Sequence, residues 1–133
     1  MQLNISTDYA IRAMLFLAIH GRGNAAEISE EMVVPLNTCK KNLQLLKKAD
    51  LIKSYAGIKG GYGLNKEAKD IRIVDILDAV GENHKFNRCL ECDEYCNRQG
   101  TDTCQIRKIY QKAQQALDEA FSWSLQDIID SDK

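Results

Sequence analysis

The sequence has no long hydrophobic run. Its apolar stretch Ala13 to Ile19 is short and bracketed by Arg12 and His20, which excludes a membrane span and a secretory leader on this pattern. A cytoplasmic protein with no membrane partner is expected. Charge of one sign is also missing: 18 Lys and Arg stand against 19 Asp and Glu, so no whole-chain field steers it to a polyanion. No internal repeat or low-complexity stretch occurs, and no nucleophile–base pair or phosphate loop stands out. Gly57, Gly60, Gly61 and Gly63 fall in a hairpin pattern and not before a helix, so an enzyme is not expected. Proline occurs once, at Pro35.

What the chain does have is clustered sulfur. Cys89, Cys92, Cys96 and Cys104 fall within sixteen residues in the spacing C-x2-C-x3-C-x7-C. Thiolates are soft ligands suited to zinc, copper(I) or an iron-sulfur cluster. Between them lie Glu91, Asp93, Glu94, Asn97, Gln99, Gly100 and Thr101, too little apolar material to order a loop. In a reducing compartment such thiols are metal ligands or a redox sensor before they are structural disulfides. Cys39 stands apart from this cluster.

The second concentration is of lysine. Residues 36–60 hold Lys40, Lys41, Lys47, Lys48, Lys53 and Lys59, opposed only by Asp50. One basic face for nucleic acid follows, with a solvated lysine-rich helix as the plainer alternative.

At 133 residues the chain can build one core, or a small domain plus an association helix. A first helix is expected from Thr7, as its cap, to His20, with Asp8 in the first turn and Tyr9, Ala13, Phe16 and Leu17 on the apolar face. Gly21 and Gly23 end it. A short helix over Ala25–Met32 follows, then a break at Val33, Val34 and Pro35, then a helix over Leu36–Ala49. Helix, turn and helix with Ile28, Leu43 and Leu46 as shared core is a helix-turn-helix pattern. Leu51, Ile52 and Tyr55 and then Tyr62 to Leu64 read as a hairpin around a glycine turn, and this order is a winged helix. Ile73–Val80 reads as a short amphipathic helix. From about Thr103 a long helix carries Ile106, Ile109, Tyr110, Ala113, Leu117, Ala120 and Phe121 at three- and four-residue spacing. That stripe suits pairing with a second copy, or packing on the first helix. Ser124 caps a last turn around Leu125, Ile128 and Ile129. The expected organisation is mainly α: a winged helix-turn-helix over 1–80, a cysteine-rich loop over 81–104, and a dimerisation helix with a tail over 105–133.

Four segments together resemble one family. They are Met1-Gln2-Leu3 through Thr7-Asp8-Tyr9-Ala10-Ile11-Arg12-Ala13, Leu46-Lys47-Lys48-Ala49-Asp50-Leu51-Ile52, Gly57-Ile58-Lys59-Gly60-Gly61-Tyr62-Gly63-Leu64, and the cysteine loop. In this order they are similar to the Rrf-two winged-helix transcription regulators. The resemblance implies a homodimer on double-stranded DNA and, as in the NsrR and IscR types, a 2Fe-2S or 4Fe-4S cluster on Cys89, Cys96 and Cys104. Cys92 is extra. The IscR type draws a fourth ligand from a histidine where this chain has Arg107, whereas the NsrR type uses an aspartate that matches Asp8, reaching the partner's cluster. Cys92 and Asp8 therefore compete for the fourth place. Zinc on the four cysteines and a metal-free thiol switch remain the alternatives for the loop, and a protein-interaction module is the alternative for the lysine face. For DNA, the winged-helix arrangement puts Asn37, Thr38, Lys40 and Lys41 in the major groove. Many relatives carry an arginine before the first wing glycine. Here Ala56 stands in that place, leaving Lys59 and Lys53 to supply the charge.

Overall fold

A computed structural model of the chain describes residues 2–97, 100 and 104–132. Helix α1 spans Ile5–His20 and is capped by Asn4, whose side chain accepts from the Ser6 N–H at 3.0 Å. The expected cap, Thr7, lies inside the helix. Asparagine caps at least as well as threonine and comes first in the chain, and the Thr7 hydroxyl instead donates to Glu82 Oε2 at 3.0 Å. Ala10, Ala13, Met14 and Leu17 on α1 are fully buried. Gly21 ends the helix with a positive φ of 81°, a conformation glycine adopts without steric cost.

Helix α2, Ala25–Met32, opens on a reciprocal capping box between Asn24 and Glu27, which satisfies two otherwise orphaned N–H groups. Helix α3, Leu36–Lys48, follows Pro35. Asn42 on its inner face is buried, donating to the Ser6 carbonyl at 2.9 Å and so fixing α3 against the start of α1. Strands β1, Ile52–Tyr55, and β2, Gly61–Leu64, pair antiparallel with Ile52 opposite Leu64 and Tyr55 opposite Gly61. A third strand position is supplied by Gly23, which exchanges hydrogen bonds of 3.0 and 2.8 Å with Tyr62. A Cβ at Gly61 would sit 2.7 Å from the Gly23 carbonyl oxygen, so only glycine at 61 lets the wing come this close to the α1–α2 connection.

Helix α4, Ile73–Ala79, adds Ile76 and Leu77 to the core. Helix α5 spans Gln105–Phe121; its expected onset near Thr103 lies outside the described residues. The chain does not stay with α5. Ser124 caps the short α6, Leu125–Asp130, as expected. The Leu125 N–H then bonds the Ile71 carbonyl at 2.9 Å and the Ile73 N–H bonds the Trp123 carbonyl at 2.9 Å. Leu125 is fully buried among residues of the N-terminal half, so α6 closes the winged-helix core, packed on α1 and the 3-10 turn Ala68–Asp70.

Helix α5 itself rests on α4 and on a 3-10 turn at Arg88–Leu90. Its apolar stripe is largely open: Ile106 is 53% exposed and Ile109 62%. The side chain it does bury is polar. Gln114 accepts from the Phe86 N–H at 2.5 Å and donates to the His84 carbonyl at 3.1 Å and to Asp118 Oδ1 at 2.8 Å. Gln114→Ala strands the Phe86 and His84 backbone groups and should cost about 1–3 kcal/mol of unfolding free energy in urea denaturation. Gln114→Leu, which restores volume but no bond, should not recover it.

Candidate metal centre and nucleic-acid interface

The segment between α4 and α5 is tied near its start. Glu82 accepts from the Asn4 N–H at 3.1 Å as well as from Thr7, so the segment starts on the N-terminus of α1. Gln114 then holds His84 and Phe86 to α5. Beyond that, order comes from Arg88, whose fork pairs both oxygens of Asp93 (Nη2 to Oδ2 at 2.6 Å) while Nε approaches Glu91 at 3.4 Å. Its guanidinium also lies 5.2 Å from the Tyr95 ring centre. The Arg88 hydrogen bonds hold the Asp93 carboxyl down at about 2, and the same bonds push Arg88 up. These groups are solvent-exposed, where ion pairs contribute little. They shape the loop without anchoring it strongly.

Cys89 lies in the Arg88–Leu90 turn, Cys96 in the loop, and Cys104 at the N-cap of α5. All three line one cavity of about 300 Å³, walled also by Tyr95, Ile106, Arg107 and Tyr110. Cys92 is exposed and lines a different cavity with Glu82, His84 and Asp93. The structure thus divides the four cysteines three to one. Among the described residues no three His, Cys, Asp or Glu side chains converge on one ion-sized point. Thiols ringing a volume suit a polynuclear cluster, whose cysteines bind different irons, better than a closed tetrahedral zinc site on all four. Arg107 donates to Glu94 Oε1 at 3.2 Å, and its buried Nε has no partner among the described residues. A guanidinium in the wall with a spare donor suits an anionic occupant of the cavity.

Asp8 does not line this cavity in its own chain. It sits in the first turn of α1, its carboxylate 46% exposed and 2.8 Å from Arg12 Nη2. Arg12 also donates to the Met32 carbonyl at 3.2 Å.

Asn37, Lys40 and Lys41 are exposed on the first two turns of α3, with Thr38 half-buried beside them. Cys39 faces inward, fully buried, its thiol 3.8 Å from the Ala25 carbonyl and pushed up by burial, as expected of a structural thiol. Lys53 and Lys59 lie on the exposed surface of β1 and the wing turn. Sequence reasoning missed Arg22, whose guanidinium lies 3.4 Å above the Tyr55 ring, and Gln44, which donates to the Tyr62 hydroxyl at 3.3 Å and ties α3 to the wing. A Gly-Arg-Gly run gives no local signal that it will lie beside a strand forty residues away.

Helix-turn-helix, hairpin wing and the Gly23 bridge define a winged-helix protein with a three-thiol cavity appended. The chain belongs to the Rrf2 family: the family model, described as an iron-dependent transcriptional regulator, matches residues 3–131. It is 35% identical over 107 residues to the HTH-type transcriptional regulator IscR of Photorhabdus laumondii and 36% identical over 107 residues to IscR of Sodalis glossinidius. Each match covers 78% of this chain and 63% of the relative, so the chain spans somewhat less than two thirds of their length. Among solved structures, IscR of T. potens superposes with a TM-score of 0.78 at 23% identity, covering 100% of this chain and 89% of that one. CymR (YrzC), the global cysteine regulator of B. subtilis, superposes with a TM-score of 0.79 at 21% identity, covering 96% and 95%. Family and relatives are regulators, in line with the expectation that the chain is not an enzyme. No helix among the described residues is long and apolar enough to cross a membrane.

Proposed function

We propose that the protein is a cytoplasmic, homodimeric DNA-binding transcription regulator whose operator affinity is set by an iron-sulfur cluster on Cys89, Cys96 and Cys104. The observation that carries this reading is the three-to-one division of the cysteines around one cavity. When bound, the cluster supplies a centre that reacts with oxidants or nitric oxide. The exposed Ile106 and Ile109 stripe of α5 pairs with its copy. Asp8 of the partner subunit supplies the fourth ligand: Cys92 faces away from the cavity, while Asp8 stands half-exposed on the helix to which the loop is tied through Glu82.

The chain's own residues then couple the two ends. Gln114 links α5 to His84 and Phe86, and Glu82 links the same segment to Asn4 and Thr7 of α1. A shift of the cysteine loop is carried by these bonds to the helix on which α3 is fixed by Asn42. The spacing of the two α3 helices, which must match half-sites about one DNA turn apart, changes with it.

Asn37, Thr38, Lys40 and Lys41 carry the major-groove contacts. Lys40→Ala and Lys41→Ala should leave the fold intact, and a phosphate-contacting lysine lowers the slope of log affinity against log salt by about one. The check is fluorescence anisotropy on operators recovered by selection from random duplexes. Unchanged affinity and slope for both variants would remove α3 from the interface.

A further inference from the structure

We infer that Arg22, from the α1–α2 connection, is a DNA-contacting residue that supplies the wing's guanidinium and enters the minor groove beside the site gripped by α3. This rests on the DNA-binding reading above. Three observations carry it. The first is where the residue is held. Gly23, its neighbour, is bonded twice to Tyr62 of β2, and a Cβ at Gly63 would press on Tyr55 Cε2 at 3.0 Å. Glycine at 63 therefore gives the Tyr55 ring its place beside the α1–α2 connection, where Arg22 stacks on it at 3.4 Å.

The second is what the stack leaves free. A guanidinium lying on a ring face keeps its in-plane donors directed outward, and among the described residues Arg22 makes no hydrogen bond or ion pair. The stack removes much of the side chain's mobility, so little ordering remains to be done when an acceptor arrives.

The third is the company it keeps. Arg22 shares a groove of about 350 Å³ with Ile58 and Lys59 of the wing turn, and Lys53 Nζ lies 5.6 Å from the centre of the same Tyr55 ring. Ile58 is wholly exposed. Glu27 in that groove accepts from the Asn24 N–H, and Arg22 also borders a second cavity with Glu27, Glu30 and Glu31, so the guanidinium has lysines on its wing side and carboxylates on its α2 side. A pre-ordered arginine with two lysines around an apolar tip matches the minor groove, whose narrow A·T-rich form concentrates negative potential and draws in arginine.

The test uses full-length protein prepared without air and an operator selected from random duplexes, made in versions with A·T or G·C pairs where the wing meets the minor groove. Arg22→Ala should weaken binding about ten-fold and lower the salt slope by about one, and it should abolish the preference for A·T over G·C. Arg22→Lys should restore the slope but not the preference, since lysine has no fork and no planar stack. Both variants should melt at the wild-type temperature. Wild-type affinity, slope and preference in Arg22→Ala, with Lys40→Ala weakened, would overturn the assignment while leaving DNA binding by α3 in place. Weakening by Arg22→Ala with both Lys40→Ala and Lys41→Ala unchanged would uphold Arg22 and reject α3 instead. If the wild-type protein selects no duplex at all, the DNA reading fails and Arg22 with it.

Discussion

Replacing Cys89, Cys96 or Cys104 by Ala should remove iron, sulfide and visible absorption from anaerobically prepared protein, whereas Cys92→Ala should leave all three. The three cysteines line a common cavity whose walls carry Tyr95, Ile106 and Tyr110, and the loss of one thiolate would leave one iron of the proposed cluster without its soft ligand. Cys92 is exposed on another surface, beside Asp93 and His84. Asp8→Ala should keep much of the iron but alter the spectrum, since a carboxylate is a harder ligand than a thiolate and only one position is lost. The reverse pattern, with Cys92→Ala stripping the iron and Asp8→Ala silent, would favour a self-contained four-cysteine loop. Metal analysis and absorption spectra of the five variants read this directly.

Leu125→Ala should be strongly destabilising, at about 2–5 kcal/mol. Leu125 is the fully buried residue of the six-residue helix α6 and stands in the core formed by the N-terminal half. A helix this short has almost no stability of its own. The leucine and the backbone bridge between Arg72 and Ser124 hold it in place. Without that side chain the cavity left behind loosens α1 and the α4 start together. Urea denaturation against Gln126→Ala, a half-buried neighbour, isolates the core effect. A loss in Leu125→Ala under about 1 kcal/mol would mean that α6 is peripheral.

Much of the DNA-binding half is legible in the sequence because it is written locally. Pro35 and the glycines after His20 break the chain where the helices end. Asn24 and Glu27 form the capping box that opens α2, and Ala25–Met32 is found at the expected bounds. Helix α3 stops one residue before the expected Ala49, within the fraying of a helix end. The Thr7 cap failed for a local reason, a stronger cap three residues earlier. What was not legible depends on contacts between distant residues. The spacing of four cysteines does not tell which three share a cavity, because that follows from a turn at Arg88–Leu90 facing the start of α5. The apolar stripe of α5 does not announce that its buried member is Gln114. Nor does any period place Leu125 under α1, or Arg22 on Tyr55.

Operator affinity tests most directly whether the cysteine loop is coupled to the exposed face of α3. One preparation of the protein is titrated with its selected operator before and after a chelator is applied without air. The account predicts iron and sulfide in the starting protein and at least a ten-fold change in affinity, abolished in Cys96→Ala; about 1.4 kcal/mol of coupling corresponds to that factor. Zinc in place of iron under iron-replete, air-free conditions, or the same affinity in both states, would contradict it.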